Sequence, residues 1–147
     1  LTVDIPPEEV DGINAELQRV GMDNIFLVAP TTPDERIARI AARASGFIYY
    51  VSLKGVTGAG HLDTADVARR LDAIRSHSDL PIAVGFGIKD ADSARVVAAV
   101  ADGVVVGSAL VNAMAQAIED GDGAEGAVIA AAELLGRIRK GIDSAAS

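Results

Sequence analysis

Two glycine turns carry the residues best suited to chemistry. The stretch "PIAVGFGIKDADSARVVAAVADGVVVGSALV", residues 81–111, reads as strand, glycine turn, helix, strand, glycine turn, helix. Gly85-Phe86-Gly87-Ile88 closes the first of these strands, and Gly107-Ser108-Ala109 closes the second and opens a short helix over 110–118. Backbone without a Cβ lets peptide N–H groups come close to an anion, and a helix start adds unpaired N–H groups and a favourable dipole. Ser108 adds a hydroxyl donor. A phosphate ester is the ligand that such a pair of turns would take. Either turn alone reads equally well as an ordinary βα connection; their pairing in successive units favours the anion site.

The loop "SLKGVTGAGHLDT" has three glycines in six residues, Gly55, Gly58 and Gly60, with Thr57 among them. It is expected to be either a lid over a site at the carboxyl end of the strands or a plain surface loop. Lys54 and His61 lie in it and read as solvated charges or substrate contacts. Tyr49 and Tyr50 adjoin in a strand, so they face opposite ways, one of them towards the interior. The carboxylates offer less. Asp4 stands near the end of the first expected strand, where a catalytic acid could lie, while Asp34, Asp63 and Asp90 read as helix caps. His61 and His77 have neither metal-ligand spacing nor a nucleophile pattern.

The elements that must position these residues alternate along the chain. Apolar runs predict strands over residues 1–5, 25–29, 47–51, 82–86 and 104–106. Helices are expected between them. Val10, Ile13, Leu17 and Val20 form one apolar stripe stopped by Gly21, and Thr32-Pro33-Asp34-Glu35 reads as a cap hydroxyl followed by proline at the first helical position. A helix with Val67, Leu71 and Ile74 follows the glycine-rich loop, another is expected over 90–100, and the chain from Ser108 onward is helical with a break at Gly121-Asp122-Gly123. Five strands alternating with helices predict a parallel α/β sheet in a single domain over residues 1–147. No G-x-G-x-x-G opens a helix near the start, which disfavours a doubly wound dinucleotide fold. Five units in 147 residues give about 29 residues each, and eight would need about 235, near the size of a (β/α)₈ TIM barrel. The expected architecture is therefore a partial barrel of about five βα units, with the first three strands missing.

Composition narrows the partners. A net charge of −8 and only 3% aromatic residues argue against nucleic acid, which asks for a basic footprint and stacking rings. No apolar run approaches the roughly 20 residues of a membrane-spanning helix, and no signal peptide is evident. Cysteine is absent, which excludes disulfides and thiolate metal sites. A soluble cytoplasmic protein is the expectation.

"YYVSLKGVTGA", "PIAVGFGI" and "GVVVGSALV", in this order and spacing, closely resemble the α subunit of tryptophan synthase, and "TVDIPPEE" and "NIFLVAPTTPDERI" are similar to its central portion. The resemblance covers essentially the whole chain. It implies a (β/α)₈ lyase of tryptophan biosynthesis that cleaves indole-3-glycerol phosphate by a retro-aldol reaction into indole and glyceraldehyde 3-phosphate. It also implies an α₂β₂ heterotetramer in which the β subunit holds pyridoxal phosphate (PLP) and the α subunit needs no cofactor. Carried over by position, the phosphate grip falls on Gly58, Phe86, Gly87, Gly107 and Ser108. The active-site tyrosine matches Tyr49, the apolar indole pocket matches Leu1, Leu27 and Ile88, and the lid threonine matches Thr57. Pro6 and its neighbours resemble the stretch that faces the β subunit.

The family's two catalytic carboxylates belong to its first strands and have no counterpart in this sequence, so no catalytic residue is assigned here beyond Tyr49 as an auxiliary. The chain alone is expected to be inactive, because general acid–base cleavage needs a group within reach of the transferred proton. Two open sheet edges are expected to favour self-association. Rival readings are another phosphate-binding barrel, such as a sugar-phosphate epimerase or isomerase, and a non-catalytic half-barrel that binds phosphate or a partner chain.

Overall fold

The computed structural model describes residues 1–52, 64–85 and 87–144. A four-stranded parallel sheet runs in the order β1 (Phe26–Val28), β2 (Ile48–Val51), β3 (Ile82–Gly85) and β4 (Gly103–Val105). Helices α1 (Asp11–Arg19), α2 (Asp34–Ala41), α3 (Thr64–Arg75) and α4 (Ala91–Ala98) alternate with the strands, and α5 (Ser108–Glu119) and α6 (Gly123–Asp143) follow β4. Every neighbouring strand pair is parallel, as helical connections require.

The register sorts the strands into two faces. Rows Phe26–Ile48–Ile82 and Val28–Tyr50–Val84 turn towards the helices and are at most 3% exposed. They form one core with Ile37 and Ile40 of α2, Val67, Leu71 and Ile74 of α3, and Ala94 and Val97 of α4. Rows Leu27–Tyr49–Ala83–Gly103 and Val51–Gly85–Val105 occupy the other face. Apart from Gly85 they are half-buried. β1 lies in a run, 25–29, that is apolar throughout, yet only one of its faces is fully buried.

Residues 1–5 differ from expectation. They form no strand, only a single parallel bridge from Thr2 to Phe26, with Thr2 N donating to Ile25 O at 2.9 Å. Asp4 takes the left-handed backbone conformation (φ 61°), which turns the chain out of the ladder towards Pro6 and a short 3₁₀ turn at Pro7–Glu9. A half-buried polar cluster around the buried Asn24 holds the bridge in place. The Thr2 hydroxyl donates to Asn24 Oδ1, Asn24 Nδ2 donates to Asn14 Oδ1 at 2.6 Å, and Asn24 N donates to Ser45 Oγ at 2.9 Å.

Two helix ends show how local chemistry sets the boundaries. Gly21 ends α1 as expected: its N–H donates to Gln18 O and that of Met22 donates to Leu17 O, the paired bonds of a Schellman stop. Thr32 does not cap α2. Its Oγ1 accepts from Ala29 N at 3.0 Å, the cap position falls to Pro33, and Asp34 becomes the first helical residue rather than a cap. The stripe on α1 is also less buried than its spacing suggests. Val10 is fully buried, but Ile13 and Val20 are exposed.

Candidate phosphate-binding rim

Gly85 and Val105 are register partners at the carboxyl ends of β3 and β4. Two residues beyond each stand Gly87 and Gly107, so both turns open on the same rim of adjacent strands. Both glycines and Ser108 are exposed. Gly87 has φ +74°, a conformation that a side chain would strain. Gly107 precedes α5, no side chain caps that helix, and a Cβ at Gly107 would meet nothing within 4 Å. By geometry the first-turn N–H groups of Ser108 and Ala109 have no intrahelical acceptor, so they and the helix dipole are available to an anion. The arrangement can hold a dianion through peptide N–H groups and one hydroxyl, which reconciles an anion site with an acidic chain.

Beneath the rim this face carries Ala83, Gly85 and Gly103 on β3 and β4, with Val105 beside Gly85. Tyr49 reaches across from β2. A Cβ at Gly85 would lie 2.6 Å from Tyr49 Cε2 and 2.8 Å from its Cζ, so the ring rests directly on the glycine backbone. The tyrosine pair thus separates by face. Tyr49 lies on the open face, beside its register partner Leu27. Tyr50 is 1% exposed in the helix layer, where burial pushes its hydroxyl pKa up, the nearby Arg70 guanidinium opposing and Asp66 adding to the rise. The ring-on-glycine contact was not legible in the sequence, since it depends on strand register.

Of the other residues singled out, Ile88 is 5% exposed and packs into the core just past Gly87, whereas Leu1 is 69% exposed beside the Thr2 bridge. Gly58, Thr57, Phe86, Lys54, His61 and Asp63 lie outside the described residues. Asp90 caps α4 as expected. Its Oδ1 accepts from Ser93 N at 2.8 Å, and Ser93 Oγ accepts in return from Asp90 N at 3.2 Å. The Ser93 hydroxyl and N–H hold the Asp90 carboxyl below its ordinary pKa. Asp4 is exposed, on the bend that ends the bridge segment. Glu8, in the stretch after Pro6, accepts from Arg39 Nη1 at 2.9 Å, and that hydrogen bond lowers its pKa.

A shallow hollow lined by Arg75, Ser78, Asp79, Leu80, Pro81 and Asp102 lies at the opposite, amino end of β3. Its one cationic group is engaged: Arg75 Nη2 donates to Val100 O at 3.0 Å and pairs with Asp102 at 3.4 Å. Asp102 in turn accepts from Ile82 N at 2.9 Å. These contacts pin strand β3 to the α4–β4 turn and leave no free cation for a phosphate.

Parallel strands, outer helices and a glycine rim at the carboxyl ends of the last two strands define part of a (β/α)₈ barrel, with the rim where such barrels often bind phosphate. Comparison with known proteins gives the family. The family model for the tryptophan synthase alpha chain matches residues 1–141, and the chain belongs to that family. It is 52% identical over 145 residues to the tryptophan synthase alpha chain of Thiobacillus denitrificans, covering 99% of this chain and 51% of the relative. It is 56% identical over 143 residues to that of Thioalkalivibrio sulfidiphilus, covering 97% and 53% respectively. The crystal structure of tryptophan synthase subunit alpha from Legionella pneumophila superposes with a TM-score of 0.79 at 39% identity, over 97% of this chain and 50% of that one. The chain therefore spans about half the length of the curated relatives it matches. Among the described residues, no helix is long and apolar enough to cross a membrane.

Proposed function

We propose that this chain is the phosphate-gripping part of a tryptophan synthase α subunit, a carbon–carbon lyase that splits indole-3-glycerol phosphate into indole and glyceraldehyde 3-phosphate. The observation that carries the reading is the convergence of Gly87 with Gly107 and Ser108 on one rim, in a chain matched by the family over residues 1–141. Peptide N–H groups there would hold the phosphate, with Gly58 and Phe86 completing the grip. Tyr49 and Leu27, side by side on the open face, would border the indole, with Leu1 as a further pocket residue and Thr57 on a closing loop. The carboxylates that transfer the proton and hold the indole N–H would come from the half of the enzyme that this chain does not match, so the chain alone should bind the phosphate end without turnover. The α subunit needs no cofactor in this reading. Its partner is the PLP-containing β subunit, which takes up the indole in an α₂β₂ assembly, and the stretch around Pro6 is its docking side.

Complementation tests the proposal. The chain is mixed with a separately produced N-terminal half of the Thiobacillus denitrificans relative, and indole release from indole-3-glycerol phosphate is followed. Turnover by the mixture and none by either half is the expected result. A folded complex that binds the substrate and releases no indole would overturn the assigned reaction.

A further inference from the structure

Helix α6 meets the start of α4 backbone to backbone at Gly141. A Cβ there would lie 2.8 Å from both the Cβ and the carbonyl O of Ala91, and 3.1 Å from its Cα. The carbonyl belongs to the main chain and cannot rotate aside, so any side chain at 141 must displace Ala91. Gly136, in the same helix, has nothing within 4 Å of the equivalent position. Gly126 is crowded by the Asp122 side chain at the start of its own helix, so within α6 it is at Gly141 that a glycine meets another helix.

Ala91 is the first residue of α4 and directly follows the cap Asp90. The cap also holds the turn that precedes it, since Ser93 Oγ accepts from both Lys89 N and Asp90 N at 3.2 Å while Ser93 N donates to Asp90 Oδ1. Ile88 is buried in the core, and Gly87 beyond it carries the left-handed φ. The turn from Gly87 to Asp90 is thus anchored at one end by β3 and at the other by the start of α4, whose position is limited by Gly141. We propose that Gly141 is a positioning residue, which sets the Gly87 amide for the phosphate through Ala91 and the Asp90–Ser93 cap; this rests on the phosphate reading above. The long helix acts as a stop against which the Gly87 half of the grip is placed.

The test compares Gly141→Ala with Gly136→Ala in the 147-residue chain, by NMR titration with sn-glycerol 3-phosphate and by thermal denaturation. In Gly141→Ala the Gly87, Lys89 and Asp90 amide signals should move before ligand is added, the Gly107 signal should stay, and affinity should fall several-fold. Gly136→Ala should leave signals and affinity as in the parent chain, and adding Ala91→Gly to Gly141→Ala should recover part of the loss. A Gly141→Ala chain with an unmoved Gly87 amide and parental affinity overturns the proposal. If that variant does not fold, Ser93→Ala interrupts the same linkage from its other end, with the same shifts and loss expected, and their absence equally overturning. A parent chain that binds no glycerol 3-phosphate removes the phosphate reading, whereas the ligand-free displacement of Gly87 still reports whether Gly141 sets the turn.

Discussion

The two faces of the sheet are made from alternate residues of the same four strands, yet they have different physical lives. Facing the helices, Ile48, Tyr50, Ile82 and Val84 are at most 1% exposed and belong to one continuous core. Their neighbours Leu27, Tyr49, Val51 and Ala83 are half-buried on the opposite face. Parallel sheets ordinarily have both faces covered. The covered face holds the fold together. The open face gives up branched side chains at Gly85 and Gly103, and the Tyr49 ring lies over Gly85 beneath the rim where the glycine turns meet.

The contrast breaks most readily on the covered side. Ile48→Ala should cost about 2–5 kcal/mol in urea denaturation, as truncations at fully buried sites do. Val51→Ala, half-buried on the open face, should cost about 1 kcal/mol. Equal costs would mean that the two faces are equally packed. A second comparison lies within the open face. Gly85→Ala should destabilise by about 1–3 kcal/mol through overpacking against the Tyr49 ring. The penalty should shrink when Tyr49 is first replaced by alanine, because contacting sites are not additive. A double-mutant cycle in urea measures that difference, and strict additivity would place the ring elsewhere.

Smaller effects belong to the rim and the edge. Asp90→Ala should cost about 1 kcal/mol, typical of a lost helix cap. Since the folded pKa of Asp90 is depressed, the cap stabilises above the unfolded carboxylate range and its contribution is lost as pH falls through the folded value. The difference between the parent chain and Asp90→Ala should therefore vanish in acid and persist at neutral pH, as read from melting curves across pH. Smallest of all, Val20→Ser on the exposed side of α1 should change stability by no more than about 0.5 kcal/mol.

Much of this arrangement was legible in the sequence, for definite reasons. Apolar runs at 25–29, 47–51 and 82–86 marked strands because the helix layer needs branched side chains there, and Gly21 and Asp90 marked helix ends because their backbone chemistry is local. The paired glycine turns were equally visible, since successive parallel strands put their loops on one rim. What depends on register or on neighbours was not. Residues 1–5 are as apolar as a strand, but the left-handed Asp4 cuts the ladder to one bridge. Thr32 has the chemistry of a cap yet spends its oxygen on Ala29 N. The residue pattern left Tyr49 and Tyr50 open and only the resemblance picked Tyr49; the ring lying on Gly85 needed the strand pairing itself.

The open rim as a phosphate site is tested most directly by titrating the ¹⁵N-labelled chain with sn-glycerol 3-phosphate and mapping which amides respond. Saturable shifts centred on Gly87, Gly107 and Ser108 are predicted. Saturation with shifts confined to the hollow around Arg75 and Asp102 at the opposite end of the strands, or no saturable shift at all, would contradict it.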